Sequence, residues 1–167
     1  MTAPVSSVGS SVARSRANVF AQDTYVTGVR RLIGVALGVN INSANTDVSI
    51  PLLLLGGTNF VVRGVMVNNA VINNGGTITN SVTTATAALN TVAAAGAGNV
   101  VLVTAAALSG LTVLTGSGSN LDLTLATQAV TLNQATQVNQ LYFRTGTAQG
   151  ASTSATVDLY IFADVLP

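Results

Sequence analysis

Aspartate and tyrosine are the only residue types here that general acid–base catalysis commonly uses, because the 167-residue chain contains no His, Glu, Lys or Cys. Paired carboxylates can hydrolyse a glycosidic bond, and carboxylate oxygens can bind Ca²⁺. The carboxylates do not cluster as in DxDxDG, and Asp158 and Asp164, on one strand face, are ~20 Å apart. We therefore expect no catalytic residue, no cofactor and no metal site, although Ca²⁺ binding by an Asp stays open. We expect solvation or Arg pairing for each carboxylate: Asp23, Asp47, Asp122, Asp158 and Asp164.

The composition of the chain excludes most other chemistry. A Ser-His-Asp triad lacks its His, a zinc site lacks Cys and His ligands, and a Walker-type phosphate loop lacks its Lys. Only 7% of the residues are charged, against about 25% in a typical soluble domain, while 49% are hydrophobic. With so few charges, Ser, Thr, Asn, Gln and Gly must form most of the polar surface. Any large apolar surface that remains must be covered by another subunit or a partner. We expect a structural protein, not an enzyme, that binds protein surfaces.

The charges are few and unevenly distributed. The net charge of +1 gives no basic footprint for nucleic acid, so we expect no DNA or RNA partner. Residues 1–46 carry four Arg and one Asp, a balance of +3, whereas residues 47–167 carry two Arg and four Asp, a balance of −2. The basic N-terminal part could dock on an acidic surface, or its Arg residues could simply keep a flexible arm in solution.

No segment of the sequence has the pattern of a membrane span. The longest apolar runs, such as PLLLL and LIGVALGV, are far shorter than the ~20 residues that a spanning helix needs. The N-terminal residues lack the basic-then-apolar order of a secretory signal. We expect no membrane partner and synthesis in a cytoplasm.

From about residue 24 onward, the sequence has the features of strands separated by Gly and Asn turns. The clearest strand is ATVDLYIFADV, in which alternate residues from Val157 to Val165 share an apolar face and those from Thr156 to Asp164 share the other. NLDLTLAT and NQLYFRTG alternate in the same way. About eight strands at intervals of roughly ten residues predict an all-β, antiparallel, jelly-roll-like sandwich over residues 23–167. Residues 1–22 show no such pattern and predict an extended N-terminal arm.

Two further segments give more specific predictions. TAAALSG, residues 104–110, has a Thr at a plausible N-cap and ends in Gly, which predicts a short helix. The apolar segments within residues 48–67 predict strands that are buried on both sides, in the sandwich or at a subunit interface, with Pro51 at an edge or a bulge. The candidate interface residues are Leu53, Leu55, Val61, Val65, Tyr160 and Phe162.

The C-terminal segment LYFRTGTAQGASTSATVDLYIFADVLP, residues 141–167, resembles the ends of small structural proteins encoded in tailed-bacteriophage virion gene clusters, including capsid decoration proteins. The resemblance implies a β-sandwich, often a homotrimer, on the outer surface of a virion capsid, where it reinforces contacts between subunits of the major capsid protein lattice. Our own hypothesis is that residues 1–22 form the capsid-contacting arm, in which Arg14 and Arg16 pair with acidic residues of that lattice. The capsid-contact candidates are Arg14, Arg16, Arg30 and Arg31.

Two other classes of protein fit the same sequence. A tail-fibre, spike or adhesin module would also be β-rich and oligomeric, and would bind a cell surface or a glycan. Tyr142, Tyr160 and Phe162 are its candidate stacking platform, if their strands lie side by side in one sheet. A self-assembling jelly-roll coat protein is the second alternative, and closed shells formed by the purified protein would identify it.

Overall fold

The structure is a computed structural model that describes residues 30–54, 59–111, 113–114, 117–118, 120–126, 130–133 and 138–166. The predicted arm, residues 1–22, therefore lies outside the described residues, together with Arg14, Arg16 and the interface candidate Leu55.

Twelve strands are present in the described residues, and one 3-10 turn spans Ala93–Ala95. Seven strands have five or more residues, and the others are short. In chain order they are β1 (Arg30–Asn40), β2 (Thr46–Pro51), β3 (Asn59–Asn74), β4 (Thr77–Thr79), β5 (Thr86–Asn90), β6 (Val101–Ala107), β7 (Val113–Leu114), β8 (Ser117–Gly118), β9 (Leu121–Asp122), β10 (Leu132–Asn133), β11 (Gln140–Thr145) and β12 (Ser154–Leu166).

Ten of the twelve strands form two packed antiparallel sheets with jelly-roll connectivity, and β7 and β8 pair with each other in a separate two-stranded sheet. Sheet I has the order β1-β12-β3-β10, with β4 and β9 also paired to β3, and sheet II has the order β2-β11-β5-β6. Along the chain, β1, β3, β10 and β12 belong to sheet I, whereas β2, β5, β6 and β11 belong to sheet II. The chain therefore crosses repeatedly from one sheet to the other, as it does in a jelly roll. The predicted all-β sandwich is confirmed.

Strand β12 is the centre of sheet I, because it pairs with β1 on one side and with β3 on the other. Its predicted alternation is confirmed: Val157, Leu159 and Ile161 are fully buried, whereas Asp158 and Tyr160 between them face outward and are half-buried. A strand with one apolar face can occupy this position only if that face is directed at the opposite sheet.

The core lies between the two sheets and contains large side chains from both. Phe60 and Ile161 from sheet I meet Phe143 and Leu141 from sheet II in one continuous cluster of buried residues. The cluster fills the space between the inner faces, as in other sandwiches.

Two of the predicted interface residues are part of this chain's own interior. Val65 is 1% exposed and belongs to the core cluster, and Val61 is 6% exposed. Both lie in β3, but only Val65 faces the opposite sheet, because Val61 pairs with Asp164 and is not part of the core cluster. Their contact with another subunit stays a prediction. Apolar residues on both sides of a strand do not by themselves distinguish a central strand from an interface strand.

The predicted helix at residues 104–110 was wrong. Residues 101–107 form strand β6, which pairs with β5 and buries Leu102 and Val103. The backbone of this Ala-rich segment finds its hydrogen-bond partners in the neighbouring strand, and burial of the two apolar residues outweighs the helix propensity of alanine. Pro51, by contrast, ends β2 at the edge of sheet II, as predicted.

Strand β1 is the outermost strand of sheet I, and its free edge is irregular. Its register with β12 shifts between Leu32 and Gly34 and again between Ala36 and Val39. Gly38 has φ +62° in the second irregular region, a left-handed conformation that favours glycine. Near the first, the Leu53 N–H donates to the Ile33 carbonyl at 2.6 Å. Bulges and a covering segment limit the length of edge that could pair with another strand.

Candidate functional site

The outer face of sheet I carries a patch of apolar and aromatic side chains. In one row across the three neighbouring strands, Leu32 pairs with Phe162, which pairs with Gly64. In the next row, Val35 pairs with Tyr160, which pairs with Met66. We call Leu32, Val35, Met66, Tyr160 and Phe162 the outer patch. Leu32 is 41% exposed and the others are half-buried.

The patch exists because the sequence alternation in β12 puts apolar residues on both faces near the middle of the strand. Tyr160 and Phe162 are the outward residues between the core residues Leu159, Ile161 and Ala163. The residues that complete the patch, Leu32, Val35 and Met66, were not among the predicted site residues. Only the register of β1 and β3 against β12 brings them together, and that register cannot be read from a single strand.

Charged side chains of both signs border the outer patch at one end. The Arg63 Nε donates to the Asp164 Oδ2 at 2.6 Å, and the two side chains are 39% and 16% exposed. Arg30, on the other side of β12, pairs with Asp164 in the strand register. Its Nη1 lies 3.8 Å from the position that a Cβ on Gly64 would take, so the guanidinium extends across β12 towards β3.

The opposite end of the patch is negative. Asp158 accepts hydrogen bonds from the Gly38 N–H at 2.7 Å and from the Asn69 Nδ2 at 2.8 Å. Its carboxylate thereby connects an irregular part of β1 to β3, where Asn69 has φ +49°. The patch therefore has an Arg-rich end and an Asp end, with neutral side chains between them.

Two strongly exposed leucines extend the apolar surface along β1. Leu37 is 67% exposed and Leu53 is 65% exposed. Leu53 lies beside β1 because its N–H donates to Ile33. Three of the predicted interface residues, Leu53, Tyr160 and Phe162, thus lie on the β1 side of the molecule. This is their position, and whether they contact another subunit remains a prediction.

The predicted capsid-contact arginines have different surroundings. Arg30 is exposed and lies at the border of the outer patch. Arg31 pairs with the buried Ala163, and its Nη2 is buried without a hydrogen-bond acceptor from the described residues. The residue as a whole is half-buried, and its contact with a capsid stays a prediction.

Tyr142 does not share a surface with the other two aromatic candidates. It lies in β11 of sheet II, between Ser49 and Asn90 in the strand register, whereas Tyr160 and Phe162 lie in sheet I. The proposed single stacking platform is therefore corrected. The consecutive strands β11 and β12 would be neighbours in a meander, but in this jelly roll they belong to opposite sheets.

Sheet II carries a polar network on its outer face. The Arg144 Nη1 donates to the Asp47 Oδ2 at 2.7 Å, and the Ala94 N–H donates to the same oxygen at 3.1 Å. The Asp47 Oδ1 is buried without a donor from the described residues. Ala94 has φ +52°, so this carboxylate holds a strained turn against the sheet.

A cleft of about 390 Å³ lies at the β3–β4 hairpin and is lined by neutral side chains. The hydroxyl groups of Thr77, Thr79 and Ser81 line it, together with those of Thr83 and the buried Gln149. The Gln149 Nε2 donates to the Thr83 Oγ1 at 2.8 Å. Hydroxyl groups both donate and accept hydrogen bonds, so the lining suits an uncharged polar ligand.

In the part of the chain that the structure describes, no three His, Cys, Asp or Glu side chains are grouped so that they could hold one metal ion. No helix within the described ranges is long and apolar enough to cross a membrane. No protein-family model matches this chain, and no curated protein is significantly similar to it.

Proposed function

We propose that this chain is a structural virion protein that binds the outer surface of a phage capsid as a homotrimer and reinforces the contacts between major capsid subunits. The observation that carries the proposal is the outer patch, an apolar and aromatic face with Arg and Asp at its border, which suits the self-association of such a protein. Such surfaces are typical of protein–protein interfaces, where Tyr, Phe, Met and Arg are enriched.

A protein of this kind needs no chemical reaction. It stabilises a shell when it contacts several capsid subunits at once, because opening the shell must then break those contacts as well. A homotrimer multiplies the effect by presenting three copies of each contact. The scarcity of acid–base groups in the sequence is in keeping with such a role.

We expect the basic N-terminal part to provide the capsid contact. Deleting residues 1–22 should abolish cosedimentation with undecorated shells of the major capsid protein encoded nearest to this sequence, while the oligomer stays folded. The double substitution Arg14→Ala and Arg16→Ala should weaken binding in the same assay. The double substitution Arg14→Lys and Arg16→Lys is the matched control, because it alters the same two positions but keeps both positive charges, so it should retain most of the binding.

Unchanged capsid occupancy after the deletion would contradict the arm as the contact. Failure of the full-length protein to pellet with shells would contradict the decoration function itself. Closed shells formed by the purified protein alone would instead identify a coat protein.

An adhesin module that binds a glycan is the second candidate, and the hydroxyl-lined cleft at the β3–β4 hairpin favours it. A neutral sugar offers both donors and acceptors to such a lining. Binding of the full-length protein to cells or to a glycan array, without binding to shells, would favour this function over decoration.

A further inference from the structure

We propose that the outer patch, extended by Leu37 and Leu53, is the surface through which copies of this chain associate with one another. The inference rests on the proposed function in one respect: it takes the self-association from there and names the surface that mediates it. It assigns the patch to a second copy and leaves the capsid contact to the N-terminal part.

The first argument is the chemistry of the patch. Tyr160 and Phe162 project from the central strand of sheet I, where the strands on both sides fix their backbone positions. Gly64 has no side chain, and the Arg30 guanidinium lies over it next to Phe162, so a cationic group borders the aromatic side chains at this end of the patch. Aromatic side chains on a rigid support are the usual energetic centres of interfaces.

The second argument is charge complementarity between copies. One end of the patch has a net charge of +1, because it carries Arg30, Arg63 and Asp164. Asp158 gives the opposite end a charge of −1. The positive end of one copy can therefore lie against the negative end of the next. This arrangement can close into a ring, whereas a border of one sign would repel its own copies.

The third argument is the area available. Three strands ~4.8 Å apart and six residues of strand length give about 300 Å² for the patch between its charged ends. A stable interface buries about 800 Å² on each partner, so the patch alone is too small. Leu37 and Leu53 add apolar surface along β1, where both are about two-thirds exposed. These leucines enlarge the apolar centre of the contact, and the remaining buried area would come from the polar and charged side chains around it, as in the rims of other interfaces.

The test is the mass of the purified full-length protein by light scattering, without capsids. The wild-type protein should have a mass of three times 16.7 kDa. The double substitution Tyr160→Ser and Phe162→Ser should give a monomer, because it removes the apolar centre of the contact. Tyr142→Ser, on the outer face of sheet II, is the control and should keep the wild-type mass.

A second pair of substitutions tests the same surface without altering β12. Leu37→Ser and Leu53→Ser change only strongly exposed side chains, so folding should be unaffected, and dissociation should become at least ~10-fold easier on dilution. Arg30→Glu should also weaken association by ~10-fold, and more than Arg30→Gln does, because it places like charges together.

Each result has a distinct meaning. A monomeric wild-type protein at about 100 µM, or a folded Tyr160/Phe162 variant with the wild-type mass, would overturn the inference. A dimer that the patch variants dissociate would support the patch and contradict the homotrimer. A patch-dependent oligomer that does not pellet with shells would retain this inference while the decoration function fails.

Discussion

Asp47 illustrates how one carboxylate can hold several parts of this molecule together. It accepts from Arg144 in the neighbouring strand and from the backbone of Ala94 in the turn that follows β5. Its side chain is 18% exposed and that of Arg144 is 23% exposed, so water competes only weakly for these bonds. Charge-assisted hydrogen bonds of this kind are the stronger ones in proteins. Asp47 is therefore a structural residue of sheet II.

We predict that Asp47→Ala lowers the free energy of unfolding by about 1.5–3 kcal/mol, because Arg144 and the Ala94 N–H lose their common acceptor. Urea denaturation followed by circular dichroism measures the change. Asp122→Ala is the control, because Asp122 is exposed and its substitution should change stability by less than about 0.5 kcal/mol. Equal losses in the two variants would contradict this role of Asp47.

At the scale of elements, Asp158 is the residue that fixes the irregular parts of sheet I. Its two carboxylate oxygens bind Gly38 of β1 and Asn69 of β3, which both have left-handed backbone conformations. The register of β12 with β3 also shifts next to it, between Thr156 and Asp158. One side chain in the central strand thus connects irregularities in both neighbouring strands.

We predict that Asp158→Ala lowers the free energy of unfolding by about 1–2 kcal/mol, since the two hydrogen bonds are made at a partly exposed site. Hydrogen exchange should become faster at residues 36–39 and 68–70, whereas the centre of β12 stays protected. Thr156→Ala, on the same face of β12, should leave exchange in both regions unchanged. Faster exchange throughout the sheet would indicate general destabilisation instead.

The elements that could be predicted from the sequence are those whose pattern is local. The alternation of β12 gave its buried and outward faces correctly, and the strand pattern predicted the sandwich. The error at β6 arose because the helix propensity of alanine is a local signal, whereas pairing with β5 and burial of Leu102 and Val103 decided the outcome. Which residues form the outer patch also depends on pairing between strands. Tyr160 and Phe162 were predicted to lie outward, but their neighbours Leu32 and Met66 depend on register.

At the scale of the whole molecule, the stability of sheet I depends on its most C-terminal described strand. Strand β12 separates β1 from β3, and no direct pairing between those two strands replaces it. Without β12, the inner residues of both strands would lose their neighbours and the core would be open on one side. Sandwiches in which distant segments pair carry this dependence as a consequence of their topology.

We predict that a chain truncated after Thr153 does not fold. Circular dichroism should show loss of the strand signal, and the truncated protein should be digested by protease at a concentration that spares the full chain. Deletion of residues 1–22 serves as the control of similar size, because the described sandwich begins at Arg30. A cooperative thermal transition in the chain without β12 would contradict the central role of that strand.

The position of β12 also has a consequence for biosynthesis. Residues 154–166 are translated after every other described strand, so sheet I cannot be completed while the ribosome is still adding them. Until then, the apolar sides of β1 and β3 are uncovered in the nascent chain, and such surfaces bind chaperones or aggregate. Folding must therefore follow translation of β12, and slower elongation between β3 and β12 would prolong this exposure without giving the chain a stable fold.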